Sequence, residues 1–307
     1  MVWPKKIHIS EVGPRDGLQI EKTILSVAQK ASIINHLVLA GAEEIEIGSF
    51  VNLKAVPQMA DTEKVFAAID KKDNITYRVL VFNLQGIKRA AAAGVKFVQL
   101  AHSASISHSI KNLNKTPSQM IQELPVILDY ATAHDIVLSG AISTAFGCAI
   151  EGKVDIEQVF KIISSFYSLG VLDISLSDTS GMAVPRQVYE YCLKVKERFP
   201  AIRLGLHFHN TRGTGLANVI AGMQAGVDRF DSSIAGLGGC PFAPGASGNV
   251  ATEDLVHMSQ EMNIETGFDL PLLISIGKEI QKIVGHDTES FLIKAGSGAV
   301  TLGLPDS

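Results

Sequence analysis

The chain has 307 residues, 46% hydrophobic and 19% charged, with a formal net charge of −4. Such a composition supports a large core and excludes a disordered chain. The charge argues against a general nucleic-acid binder but leaves room for a local basic patch toward a phosphorylated ligand.

Eight strands are predicted along the chain, over Ile7–Val12, Glu44–Ile47, Ile75–Phe82, Phe97–Ala101, Ile136–Ser143, Leu172–Ser177, Arg203–His209 and Arg229–Ile234. Helical patterns lie between them, among them Thr23–Ala40, Pro117–Ala133, Asp155–Leu169 and Pro185–Phe199. Gly41, Gly94, Gly170 and Gly226 follow helices, where a left-handed cap is expected. Alternating β and α segments imply a parallel sheet with helical crossovers. Eight such units favour a closed barrel, and no G-x-G-x-x-G follows the first strand to support an open dinucleotide-binding sheet. After Val250 the pattern reads as the eighth helix plus a short C-terminal helical addition. No Pro/Ser-rich linker divides the chain, so residues 1–307 are read as one catalytic domain, an α/β (β/α)8 TIM barrel.

Three cysteines, Cys148, Cys192 and Cys240, are too few and too scattered for a disulfide scaffold or a Cys-rich zinc site, and they suit a reducing compartment. Neither a signal-peptide pattern nor an uncharged run of the roughly 20 apolar residues needed to cross a membrane is found. A soluble cytoplasmic protein is expected, with no membrane or nucleic-acid partner.

In such barrels the active site lies at the C-terminal strand ends. Polar residues collect there: Arg15, Asp16 and Gln19 after the first strand, Glu46 and Ser49 at the second, Asp178 and Thr179 at the sixth, His207 and His209 at the seventh, and Cys240 and Asn249 after the eighth. His207 and His209 are two apart on a strand and share a face, so both imidazoles can converge on a divalent metal. Each residue alone has a plainer reading: a turn-capping ion pair for Arg15-Asp16, a helix cap for Asp178, an inert small side chain for Cys240. Their joint position at one barrel mouth is what points to chemistry.

The segments 12–19 (VGPRDGLQ), 49–51 (SFV), 56–61 (VPQMAD), 207–209 (HFH) and 235–249 (AGLGGCPFAPGASGN) resemble the 3-hydroxy-3-methylglutaryl-CoA lyase family, in order from about residue 7 to about residue 265. The resemblance implies cleavage of that thioester to acetyl-CoA and acetoacetate, with Mg2+ or Mn2+ as cofactor. It implies Asp16, His207, His209 and Asn249 as metal ligands, a mixed O/N set without thiolate that suits a hard ion. It assigns Arg15 to stabilising developing negative charge, Asp178 or Glu46 to the hydroxyl proton, and Cys240, with His207 as competitor, to protonating the enolate carbon. Gln19, Ser49, Lys111 and Asn112 are the further substrate-binding candidates. The Lys111–Lys115 cluster is read either as a contact for CoA phosphates or as a solvated charged face. A homodimer or larger homo-oligomer is expected from the same resemblance.

Several positions depart from the family pattern: Ile20, Gly48, Ile106, Ala149, Ile150, Ser177 and Asn210. They leave open a lyase for a related 3-hydroxyacyl-CoA with another acyl group, or ordinary drift. A Claisen-type synthase uses the same ion and barrel, but the Gly-Gly-Cys-Pro loop and the absence of a large regulatory region argue against it. A metal hydrolase fits less well, since such sites usually place the His-x-His motif on the first strand, and a redox or scaffold protein using Cys240 leaves Arg15 and Asp178 beside the metal without a reason.

Overall fold

The computed structural model describes residues 3–52, 56–239 and 248–296. Eight parallel strands close into a barrel in chain order: β1 (His8–Glu11), β2 (Glu44–Ser49), β3 (Thr76–Val81), β4 (Phe97–Ser103), β5 (Val137–Ser143), β6 (Asp173–Asp178), β7 (Arg203–Phe208) and β8 (Arg229–Ser232). The last strand pairs with the first, with Ser10 beside Asp231. The expected barrel is thus observed, with each predicted strand in place to within a few residues.

The strands alternate in a way that decides the architecture. Outward positions such as Ile45, Ile47, Val79, Val98, Leu100, Ile174, Leu204 and Leu206 are buried in one continuous core between sheet and helices. Inward positions carry Glu46, Arg78, Gln99, Ser175 and His207, buried but polar, and the partly buried Asp231. Barrel interiors are usually filled by branched aliphatic side chains. Here the barrel axis is a polar layer, and the large apolar burial lies outside it.

Helix ends follow local sequence. Ser26 and Gln29 form a reciprocal capping box, so the first helix begins at Val27 and not near Thr23 as its apolar pattern suggested. Thr116 and Gln119 repeat the device ahead of the helix Pro117–Ala133, whose Pro117 occupies the first turn, where its missing N–H is harmless. The helices Ile156–Ser168 and Pro185–Arg198 match their predicted spans to within a residue. Helices Thr252–Glu261, Leu270–Val284 and Phe291–Ala295 form the C-terminal part. Among the described residues, no helix is long and apolar enough to cross a membrane.

Candidate metal centre at the barrel mouth

After β1 the chain makes one π-type turn, Gly13–Gly17, in which the Leu18 amide donates to the Gly13 carbonyl at 2.9 Å. Single turns of this kind are frequent at functional sites. Glu11 ties it down: its carboxylate accepts from the Gly13 amide at 2.7 Å, the Ile234 amide at 2.9 Å and the Thr252 hydroxyl at 2.6 Å. The turn thereby places Arg15 and Asp16 side by side at the mouth.

On β7 the alternation of side chains sends His207 and His209 to the same inward face. Residue 249 arrives from the far side of the last βα connection through an antiparallel bridge with His209. The ligating atoms of Asp16, His207 and His209 lie within 4.8 Å of one another. Asp16 Oδ2 is 3.2 Å from His209 Nε2 and 3.8 Å from His207 Nε2, and it accepts from Asn249 Nδ2 at 2.8 Å. Gly238 makes the close approach possible. Its φ is +113°, and a Cβ there would stand 2.6 Å from Asn249 Nδ2 and 3.0 Å from the Asp16 carbonyl oxygen.

The electrostatics suit a cation. Burial works to raise the Asp16 pKa, but the Arg15 guanidinium and the two imidazoles hold it well below the usual carboxylate range. Two buried polar atoms of the cluster, His209 Nδ1 and Asn249 Oδ1, have no hydrogen-bond partner among the described residues. A buried orphan acceptor is costly, and a carboxylate, two imidazoles and an amide oxygen form a donor set a hard divalent ion accepts. The residues present therefore fit the ion that the site's chemistry requires.

Two residues not singled out from the sequence support these candidate ligands. Asp231 Oδ2 lies 3.1 Å from His207 Nδ1, the second-sphere contact that fixes which ring nitrogen faces the ligand cluster. Arg78, buried on the barrel axis, donates to Glu44 at 2.7 Å, to Glu46 at 3.1 Å and to Asp231 at 3.5 Å. Glu46 in turn accepts from Arg15 Nε, and Arg15 Nη1 donates to Asp16. The signal for both was present in the strands: charged residues at inward positions of β3 and β8 have no reason to be buried unless they are paired.

The remaining candidates are distributed unevenly. Arg15, Asp16, Gln19, Asn112, His207 and His209 line one cavity of about 140 Å³, with Ser177 and Thr179. Glu46 sits one layer deeper, its two oxygens on Arg15 and Arg78. Asp178 is buried with Oδ1 on the Met182 amide at 2.8 Å and Oδ2 on the Ala183 amide at 3.0 Å, so it also shapes the loop before the next helix. Burial raises its pKa despite those two amides and the nearby histidines. Ser49 is buried, and its hydroxyl oxygen has no partner among the described residues. Lys111 lines a neighbouring cavity of about 680 Å³ with Phe50 and Arg89, and this cavity shares Gln19, Phe82 and Asn112 with the first. Cys240 lies outside the described residues.

A family model described as HMGL-like matches residues 6–280. The chain belongs to this family. A hydroxymethylglutaryl-CoA lyase of Bacillus subtilis is 42% identical over 290 residues, 94% of this chain and 97% of that protein. A 3-hydroxy-3-isohexenylglutaryl-CoA/hydroxymethylglutaryl-CoA lyase of Pseudomonas aeruginosa is 40% identical, over 96% of this chain and 98% of its own. An HMG-CoA lyase structure from Acinetobacter baumannii, in complex with coenzyme A and 3-methylmalate, superposes with a TM-score of 0.95 at 41% identity, covering 99% of this chain and 100% of that one.

The family's rim departures now have positions. Ile20 and Ile106 are 41% and 49% exposed, and neither lines the cavity. A Cβ on Gly48 would stand 2.6 Å from the Thr62 hydroxyl, so that position faces the helix Thr62–Ala68 and not the cavity. Asn210 accepts from the Gly215 amide at 2.9 Å at the head of the following helix. Of these departures, Ser177 lines the cavity.

Proposed function

We propose that this protein is a divalent-metal-dependent carbon–carbon lyase of a single catalytic domain, cleaving 3-hydroxy-3-methylglutaryl-CoA to acetyl-CoA and acetoacetate in the cytoplasm. The observation that carries the reading is the convergence of Asp16, His207 and His209 within 4.8 Å, beside Arg15, in a chain of this family. Asp16, His207, His209 and Asn249 would hold the ion, Mg2+ or Mn2+. Such an ion supplies Lewis acidity toward substrate oxygens and eases loss of the C3 hydroxyl proton.

The chain's own groups supply the rest. Arg15 carries a permanent charge, which burial opposes and which Asp16 and Glu46 more than restore. It stabilises negative charge as it develops on the thioester oxygen when the C2–C3 bond breaks. Glu46, committed to two arginines, sets the direction of Arg15. Asp178 takes the hydroxyl proton, its basicity raised by burial. Cys240 returns a proton to the enolate carbon. His207, fixed at Nδ1 by Asp231, suits the role of ligand better than that of acid. Gln19 and Asn112 stand where the two cavities meet. The larger one, with Phe50, Arg89 and Lys111, offers the apolar and cationic lining that a pantetheine arm and its phosphates need.

Purified protein incubated with Mg2+ and 3-hydroxy-3-methylglutaryl-CoA is expected to release acetoacetate, and chelation is expected to abolish the release. Absence of acetoacetate with the ion present, or condensation of acetyl-CoA with a 2-oxo acid instead, overturns the reading.

A further inference from the structure

Just past β5, one residue holds a backbone conformation that its side chain resists. Thr144 is fully buried with φ +56°. Glycine tolerates left-handed backbone, and asparagine and aspartate do so at some cost, but for a β-branched residue it is a genuine outlier. Such strain persists only where the surroundings over-determine it, and it collects at functional sites. Here three strand ends supply the constraint. The Thr144 hydroxyl donates to the Ser143 carbonyl at 2.6 Å, accepts from the Ser105 amide at 3.1 Å and lies 3.0 Å from Ser103 Oγ. The Thr144 amide donates to Thr179 Oγ1 at 3.0 Å. The ends of β4, β5 and β6 are thereby joined through one residue.

What these ends carry faces the catalytic cavity. Ser105 caps the helix Ile106–Leu113 by accepting from the His108 amide at 3.1 Å. His108 and Asn112, one turn apart on that helix, line the cavity together with Arg15, Asp16, His207 and His209, as does Thr179. The same network sets the His108 ring, whose Nδ1 is 3.0 Å from Ser103 Oγ. The Thr144 proton goes to Ser143, so the Ser103 proton goes to Thr144 Oγ1 or to the Ser105 carbonyl, 3.2 Å away. In both cases Ser103 offers His108 only lone pairs, and the ring carries its proton on Nδ1. Burial lowers the His108 pKa, so the ring is neutral and its Nε2 is an acceptor. We infer that Thr144 is a positioning residue: its hydroxyl seats the helix Ile106–Leu113 against the cavity and fixes the His108 imidazole as the Nδ1-protonated tautomer. Within the lyase reading, on which its effect on turnover rests, Asn112 stands where the catalytic cavity meets the larger one that suits the CoA arm. Displacing this helix therefore acts on acyl-CoA binding more than on bond cleavage.

The test is KM and kcat for 3-hydroxy-3-methylglutaryl-CoA with Mg2+, together with the imidazole nitrogen NMR spectrum, in the wild type, Thr144→Ser and Thr144→Gly. Glycine takes the left-handed conformation without strain, so Thr144→Gly loses the hydroxyl and keeps the backbone. The residue 144 amide, and with it the Thr179 contact, stays in both variants. Thr144→Gly is expected to raise KM about tenfold, the scale of one lost buried hydrogen bond, with kcat within about threefold. Its Mn2+ affinity, read without turnover, is expected to match the wild type. The His108 signals, assigned by their loss in His108→Asn, are expected to show Nδ1–H in the wild type and a mixture of tautomers in Thr144→Gly. Thr144→Ser, which keeps the hydroxyl, is expected to restore both readouts. A wild-type ring protonated on Nε2 overturns the inference, as does a Thr144→Gly variant with the wild-type spectrum or the wild-type KM. Equal losses in KM, kcat and Mn2+ affinity overturn it too, as does a Thr144→Ser variant that fails as glycine does. A wild type that releases no acetoacetate overturns the lyase assignment instead, and the His108 spectrum, which needs no substrate, still decides whether Thr144 sets the ring.

Discussion

Arg78→Met is the sharpest single perturbation of the site, because it touches neither substrate nor ligand. Arg78 is 7% exposed and bonds three carboxylates, Glu44, Glu46 and Asp231. Burial opposes its charge, and those carboxylates raise its pKa above the ordinary value. Methionine keeps much of the volume and removes every donor. Glu46 is then left with Arg15 and Asp231 with His207. Removing one partner from a buried ionic set costs about 3–5 kcal/mol, so urea unfolding should show a loss of that size. Loosening Asp231 also loosens the His207 ring, and loss of such an outer partner weakens metal binding about 10–100-fold. Titration with Mn2+, read by the free-ion EPR signal, measures this without turnover. Arg78→Lys should recover part of the stability and less of the affinity, since one ammonium cannot reach both Glu46 and Asp231 as the fork does. Arg229→Met is the control, because its pairs with Glu44 and Asp173 at 3.4 Å are partly exposed, and such pairs are worth at most about 1 kcal/mol. If Arg78→Met loses no more stability than that control and binds Mn2+ as the wild type does, the polar interior is not what orients the ligands.

Four further outcomes are expected. His209→Ala should weaken Mn2+ binding by more than the roughly 10–100-fold of an outer-sphere change, measured by calorimetry. Gly238→Ala should weaken the same binding at least about tenfold by pushing Asn249 off Asp16, on the scale of a lost outer partner, with little change in the circular dichroism spectrum. Glu253→Gln should stabilise the protein at neutral and higher pH. Burial holds the Glu253 carboxyl up to about 8, against 4.5 for the unfolded group, although its Oε2 accepts from the Ala235 amide at 3.1 Å. Between those pH values the unfolded chain binds fewer protons than the folded one, so wild-type stability falls as pH rises through the window. The glutamine variant should remove that slope, a gain on the order of 3 kcal/mol at pH 7 in urea unfolding. Finally, burial pushes the Cys192 thiol up to about 12, so iodoacetamide at pH 8 should label it only after unfolding, as peptide mass mapping will show.

The strand order and the shared inward face of His207 and His209 were legible because both rest on local periodicity. Ile-Glu-Ile and Leu-His-Phe-His alternate with period two, which assigns one face to the helices and the other to the axis. Strand ends then collect at one rim by topology. The supporting charges were less legible. Arg78 and Asp231 lie over 150 positions apart in sequence and 3.5 Å apart in space, and only barrel closure makes them partners. Substrate specificity was sought at Ile20, Gly48 and Ile106, where the residue types are unexpected. Two of those face solvent and the third faces a helix.

The sequence by itself determined the barrel, the face on which the histidines lie, and the family, since backbone alternation and contiguous motifs are properties of neighbouring residues. Tertiary structure decided which distant groups meet: Asn249 against Asp16, Asp231 behind His207, Arg78 among three carboxylates, and Thr144 joining the ends of three strands. Those meetings depend on the register and closure of the sheet, and no local window of the chain carries that information.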